Sequence, residues 1–230
     1  MNYDAKKDWG NLYDEPKEIS FPAEGVIRIF KGTFPGLGMP KPTSGKILDL
    51  GCGDGRHFPL FQQIGLDAYG TEISDDICSG LRNRLDKRKI SYKKIKKGIA
   101  DNLPFEKNVF DYLLTWNSCY YMTQGQDLDF NKHVSEMARV IKQRGWIICS
   151  IPQKSSFIFS ESKPTEIKGY RKISKDPWGK REGEIMRCFE SKEELIKNFN
   201  KYFTKFYQSE IKIDWFGLNY HWYVFVAQKK

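Results

Sequence analysis

The chain reads as an α/β fold built on a mostly parallel sheet. Two observations predict it. Short apolar runs of strand length alternate with segments whose apolar residues recur at helical spacing, the pattern of parallel strands joined by helices. The first apolar run, Ile47-Leu48-Asp49-Leu50, passes directly into the glycine-dense turn Gly51-Cys52-Gly53-Asp54-Gly55. A buried strand feeding such a turn delivers backbone to the amino end of a helix, where a ligand can touch it.

Taken in order, Ala23 to Lys31 carries Val26, Ile27 and Phe30 on one stripe, with Pro22 near its start, and predicts a helix. Residues 32–45 hold four glycines and three prolines and read as a loop. Lys46 to Leu50 is the first strand and Arg56 to Gln63 its helix. Asp67 to Thr71 is a second strand, closed by Ser74 as a helix N-cap, with Asp75 and Asp76 in the first turn. Ile77, Leu81 and Leu85 mark the buried face of that helix. Ser91 to Lys96 is a weak strand suited to a sheet edge. Val109 to Trp116 is an apolar strand; Phe130, Val134, Met137 and Ile141 stripe the next helix, which Gly145 ends. Trp146 to Ile151 is another apolar strand. A capping box, Ser191 with Glu194, opens a helix to Asn200, and Tyr220 to Ala227 reads as a closing strand buried on both faces. Residues 153–190, with Pro164, Pro177, Trp178 and many charges, fit no regular element. They follow a strand end, above the side of the sheet where ligands bind, and read as a substrate lid.

Composition narrows the class. The 230 residues are 40% hydrophobic and 15% aromatic, enough for one domain with a substantial core. The first ten residues are polar and charged, unlike a signal peptide, and no apolar run reaches membrane-spanning length. Five scattered cysteines without a C-x-x-C pair suit reduced thiols and a cytoplasmic protein. No cluster of acids points to a metal. The net charge is +9, and residues 82–97 hold nine basic residues against one acidic. That stretch is a candidate RNA surface, but no nucleic-acid motif accompanies it, so it reads as a solvated face; the overall charge still favours an anionic small acceptor.

The turn itself discriminates among cofactors. A dinucleotide site requires a third glycine where Arg56 stands, and a P-loop requires a Gly-Lys-Ser/Thr that is absent. The chain offers instead D-x-G-x-G-x-G, Asp49 to Gly55. Glu72, at the end of the second strand, can accept both hydroxyl protons of a ribose. Asp101 and Asn102 offer polar groups for an adenine edge, and Asn117 ends the next long strand.

With these spots in order, the chain resembles the class I S-adenosylmethionine-dependent methyltransferases. The matching segments are ILDLGCGDGRH (47–57), DAYGTEIS (67–74), GIADNLPFEKNVFDYLLTWNSCYYM (98–122) and EMARVIKQRGWIICSIP (136–152). The resemblance implies a Rossmann-like, seven-stranded, mostly parallel sheet with an antiparallel last strand and helices on both faces. It implies S-adenosyl-L-methionine as cofactor, with Asp49 and the Gly51 and Gly53 backbone at the methionine end, Glu72 on the ribose, Ile73 against the adenine, Asp101 and Asn102 at its edge, and Asn117 where donor meets acceptor. Gln143-Arg144-Gly145 departs from the proline-glycine-glycine turn of many members.

The flanks, Trp9 to Tyr13, Phe21 to Glu24, Trp178-Gly179 and His221-Trp222-Tyr223, resemble small methyltransferases of bacterial surface-polysaccharide biosynthesis. In such proteins an amino-terminal aromatic and a basic residue close over the cofactor; Tyr13 and Arg28 are the candidates here. Transfer to a neutral hydroxyl calls for a proton acceptor. His221 is the candidate base, and Tyr120 and Tyr121, following Asn117, are candidates to line the acceptor cavity.

The resulting expectation is one methyltransferase domain: an amino-terminal helical cap (1–45), a cofactor core (46–152), a lid (153–190), and a carboxyl-terminal helix and strands (191–230). Its acceptor would be an oxygen of a sugar, nucleotide-linked sugar or phosphorylated metabolite. The alternative is an RNA methyltransferase using residues 82–97; it lacks an RNA-binding appendage, and Asn117-Ser118-Cys119-Tyr120 stands where base-amine methylating members carry Asn/Asp-Pro-Pro-aromatic.

Overall fold

The structure, a computed structural model, describes residues 7, 9, 10, 19–122 and 127–230. Helices α1 (Glu24–Lys31), α2 (Phe58–Gln63), α3 (Asp75–Lys87), α4 (Phe130–Val140), α5 (Phe157–Ser160) and α6 (Lys192–Phe199) are interleaved with ten strands. Strands β1 (Lys46–Leu50), β2 (Asp67–Glu72), β3 (Lys94–Lys97), β4 (Phe110–Trp116), β5 (Ile141–Pro152), β9 (Phe203–Trp215) and β10 (Leu218–Lys229) form one sheet in the order β3-β2-β1-β4-β5-β10-β9. The pairs β2·β3, β1·β2, β1·β4 and β4·β5 are parallel, and β10 runs antiparallel to both of its neighbours. This is the seven-stranded, Rossmann-like arrangement that the sequence predicts.

Alternation along the strands divides the core between the two faces. Ile47, Leu114 and Ile148 pack with α1, α2 and α3 through Val26, Phe30, Phe58, Phe61, Leu81 and Leu85. Leu48, Leu113, Ile147 and Phe225 pack with α4 and α6 through Phe130, Val134, Leu195 and Phe199. Local chemistry sets the helix starts. Ser74 Oγ accepts from Ile77 N at 3.3 Å, and Ser191 Oγ from Glu194 N at 3.2 Å.

Four expectations change. Ile27 leaves the α1 stripe and is exposed, because only Val26 and Phe30, four apart, reach the sheet. Helix α4 stops at Val140, not at Gly145; residues between the Phe110↔Ile141 and Tyr112↔Trp146 pairs form an irregularity in which Arg144 takes φ +62°. Residues between the helix ending at Asn200 and the closing strand, to which the sequence assigns no element, form β9 at the exposed edge of the sheet.

The fourth change is the largest. Residues 153–190 are folded, not irregular: they contain α5 and a three-stranded antiparallel sheet of β6 (Ser162–Pro164), β7 (Tyr170–Ile173) and β8 (Ile185–Arg187). Strands of three and four residues bearing lysine and arginine lack a readable period. The segment is fastened to the core by Met122 N to Ile185 O at 2.8 Å and Arg187 N to Tyr120 O at 2.9 Å. The nearly buried Arg187 guanidinium donates to Gly169 O at 2.7 Å, pairs with Glu194 of α6 at 2.5 Å and lies 4.1 Å from the Phe189 ring centroid. Arg187→Ala removes all of these at once. It is expected to lower the unfolding free energy by about 3 kcal/mol in denaturant titration, and to expose residues 174–183 to limited proteolysis.

Candidate functional site

Strands β3, β2, β1 and β4 are parallel neighbours, so their carboxyl ends lie along one edge of the sheet. Strand order reverses between β1 and β4, which opens a crevice there. A cavity fills it, lined from successive strand ends by Leu50 and Gly51, Glu72 and Ile73, residues 98–100, and Asn117, Ser118 and Tyr121. Trp9, His133 and Glu184 complete the wall. Its atom-free space is about 710 Å³, including the part open to solvent.

The glycine turn is held from β2. Gly51 N and Cys52 N both donate to Thr71 O at 3.1 Å, and Gly53 N donates to Glu72 Oε1 at 2.6 Å. Gly51, Gly53 and Gly55 all take positive φ, between +58° and +85°. With those NH groups committed, what the first two glycines can offer an ammonium is their carbonyl oxygens. Asp49 lies beneath the turn, 1% exposed, with its Oδ2 3.0 Å from His57 Nδ1. It is not on the cavity wall, and its carboxylate pairs with the histidine.

Glu72 is the most informative titratable group. It is 6% exposed, and burial pushes its carboxyl up to about 7 despite the lowering effect of hydrogen bonds from Gly53 N and Ile73 N. Asp101 keeps a buried Oδ1 without a hydrogen-bond partner. Asn102 is exposed, its backbone paired with Ile99. Asn117 adopts φ +60°, a strained conformation for a residue other than glycine. It is fixed on three sides: its N donates to Ser150 Oγ at 2.9 Å, its Oδ1 accepts from the same hydroxyl at 2.8 Å, and its Nδ2 donates to Tyr220 Oη at 3.0 Å.

Not every candidate reaches the crevice. Arg28 is on α1, 62% exposed at its side chain and paired with Glu24, and it does not line the cavity. Tyr13 lies outside the described residues. His221 Nδ1 is 3.0 Å from Ser155 Oγ, away from the cavity wall. The reason is strand alternation: Tyr220 and Trp222 project together, their rings stacked at 3.7 Å, and His221 projects to the other face. Tyr220, which touches Asn117, was legible from that period. Tyr120 is 1% exposed in the core, and Tyr121, stacked on it at 4.8 Å, lines the cavity. Burial raises both phenols, which keeps them protonated and unsuited to act as bases. Burial raises the Tyr220 phenol, and the charge of Arg56, read in the sequence only as a missing glycine, partly offsets that rise.

Residues 48–149 match the family model described as a methyltransferase domain. No curated protein matches the chain by sequence. Among solved structures it is similar to the PH0226 protein of Pyrococcus horikoshii (22% identity, 90% of this chain and 87% of that one, TM-score 0.63). It is also similar to a SAM-dependent methyltransferase of Methanosarcina mazei (16% identity, 91% and 99%, TM-score 0.66). A SAM-dependent methyltransferase of Thermotoga maritima, described as a possible histamine N-methyltransferase, matches at 22% identity over 84% of each chain with TM-score 0.55. The shared fold is that of SAM-dependent methyltransferases, whose cofactor is S-adenosylmethionine.

The residues present fit that cofactor. A buried carboxylate at the end of β2 suits a ribose diol, and the unpartnered Asp101 Oδ1 suits an exocyclic amine. Among the described residues no cluster of three or more potential ligands could hold a metal ion.

The Glu72 carboxyl has a measurable consequence. In the folded chain it keeps its proton up to about pH 7, whereas unfolded it loses it near 4.5. The stability it contributes is therefore complete below 4.5 and is lost as pH rises through about 7, a change on the order of 3 kcal/mol. Without ligand, Glu72→Gln is expected to flatten the decline in unfolding free energy between pH 5 and pH 8. Parallel profiles for the two proteins would show that the group is not buried as described.

Proposed function

We propose that the enzyme transfers the methyl group of S-adenosylmethionine to an oxygen of a small acceptor of the sugar class: a sugar, a nucleotide-linked sugar or a phosphorylated metabolite. The single observation that carries a small acceptor is the covering of the crevice by residues 153–190, which contribute Glu184 to its wall and are tied by backbone hydrogen bonds to the loop after β4. A cavity closed by a folded segment suits a small molecule better than a polymer. We read that segment as the substrate lid. The flank resemblance to methyltransferases of bacterial surface-polysaccharide biosynthesis supports a sugar, and five free, buried cysteines support a cytoplasmic setting.

The donor supplies a methyl group already activated on a sulfonium. The protein's task is alignment and exclusion of water. In this reading Glu72 takes the ribose hydroxyls, Ile73 packs on the adenine, Asp101 and the backbone beside Asn102 accept from its edge, and the Gly51 and Gly53 carbonyls accept from the methionine ammonium. Asp49 acts through the turn and His57. Arg56 is better situated than Arg28 to meet the methionine carboxylate. Asn117 faces the junction of donor and acceptor, Tyr120 buttresses Tyr121, and Tyr121 forms the acceptor wall. His221 retains no part in the chemistry, being on the opposite face of β10.

The RNA reading draws less support. Several basic residues of 82–97 are engaged within the chain: Arg82 with Ile95 O at 2.9 Å, Lys93 with Asp67 at 3.3 Å, and Lys96 with Pro104 O at 3.2 Å. Arg82 lies on α3, Lys96 on the edge strand β3, and Lys93 just before that strand. Among the described residues no helix is long and apolar enough to cross a membrane.

Titration calorimetry with S-adenosylmethionine tests the donor assignments. Glu72→Ala is expected to abolish measurable binding, Arg56→Ala to weaken it about tenfold, and Arg28→Ala to leave it unchanged. Wild-type affinity should fall as pH drops below about 7, where Glu72 takes up its proton and ceases to be an acceptor-only group. Undiminished binding by Glu72→Ala would overturn the ribose assignment.

A further inference from the structure

Strand β9 is the free edge of the sheet. Its hairpin with β10 turns through Phe216 and Gly217, at φ +53° and +88°. A two-residue turn of that kind leaves its flanking residues, Trp215 and Leu218, as a hydrogen-bonded pair. The register is unbroken from there back to Tyr207. Hydrogen bonding alternates along an antiparallel strand, so Trp215 and each second residue back to Tyr207 direct their backbone groups to β10. Asp214, Lys212, Glu210 and Gln208 direct theirs away from the sheet. Among the described residues, none of these four is bonded through its backbone to another segment. The strand has no proline to blunt this edge.

The same stretch carries apolar surface that a single chain does not cover. Ile213 is 37% exposed, Trp215 55%, and Phe216 fully, at a left-handed φ that a bulky residue rarely adopts. Ile213 and Trp215 continue the face on which Tyr207 and Ile211 pack against the core. On the other face stand Glu210, Lys212 and Asp214, with Glu210 and Lys212 joined at 2.8 Å where both reach solvent. That order of charges is self-complementary. When a second β9 lies antiparallel with Ile211 opposite its own copy, each Glu210 faces a Lys212, Ser209 faces Ile213, and Tyr207 faces Trp215. An axis at Glu210 or at Lys212 sets like charges opposite. An axis at Ile213 sets Lys212 against Asp214, but shortens the ladder to residues 211–215.

We propose that β9 is a homodimerisation edge: a second copy of this chain adds to it antiparallel, about a two-fold axis at Ile211, so that one sheet runs through both chains. Main-chain hydrogen bonds join the strands, the Glu210 and Lys212 pairs set the register, and the exposed apolar residues cover one another across the axis. The proposal is independent of the methyl-transfer reading and requires no ligand.

Sedimentation velocity on the full chain, with hydrogen exchange, tests it. At about 100 μM, where a complex of micromolar Kd is saturated, the wild type is expected to sediment with twice the 26.9 kDa mass of the chain. The amides of Glu210 and Lys212 are expected to exchange more slowly as protein concentration rises. Glu210→Lys and Lys212→Glu are each expected to raise the dimer dissociation constant at least tenfold, because each sets like charges opposite. An equimolar mixture of the two variants is expected to restore association, because lysines of one chain then meet glutamates of the other; that recovery also shows both variants to be folded. A monomeric wild type, exchange at these amides that does not depend on concentration, or a dimer left intact by both variants would overturn the proposal. The wild-type measurements stand without the variants.

Discussion

The hydrogen bond from Gly53 N to the Glu72 carboxylate is the contact on which the site depends. It joins the end of β2 to the turn after β1, and the adjacent bonds from Gly51 N and Cys52 N to Thr71 O hold the rest of that turn in the same way. Each bond uses up a donor that would otherwise face the crevice, and so decides which backbone atoms remain for a ligand. The arrangement requires positive φ at three glycines and a carboxyl group kept out of water, both unfavourable on their own. They are tolerated because strands packed on both faces fix the positions of the two segments. Burial that raises the carboxyl to about 7 is the local cost of that geometry.

A second constraint acts at the other end of the cavity. Residues 153–190 form three short strands and one helical turn, and Phe157, Ile158, Phe159, Met186 and Phe189 bury them against the main core. Arg187 anchors the segment to α6, and Arg181 clasps it to Trp9 and Tyr121. Both arginines are paired with acids, so each charge is balanced where it is buried. The charges at this end of the cavity therefore follow from pairing, not from composition: Arg181 is held by Asp176 and Arg187 by Glu194.

Much of this was legible in the sequence. The strands β1, β2, β4 and β5 and the helices between them follow from apolar period and caps, and the order of Asp49, Gly51, Glu72, Asp101 and Asn117 follows from strand ends. The strands within residues 153–190 and β9 were not read from the sequence: the former are three or four residues long without a period, and β9 is polar over most of its length, alternating only from Ile211 to Trp215. Arg28 and His221 were chosen for their chemistry and their neighbourhood in the chain, but the outward face of α1 and the parity of β10 direct them elsewhere.

The sequence by itself determined the α/β class, the crevice at the strand ends and the donor's chemical family, since these depend on local spacing: glycines in one turn, an acid at one strand end, a cap before one helix. Only the tertiary structure decided what lines the far end of the cavity. Glu184, Tyr121 and Trp9 are brought together from segments more than sixty residues apart, and whether Arg181 is a free cation or a paired one depends on Asp176 and the rings around it. Charge neutralisation and side-chain direction are properties of contacts, and contacts between distant segments exist only once the chain has folded.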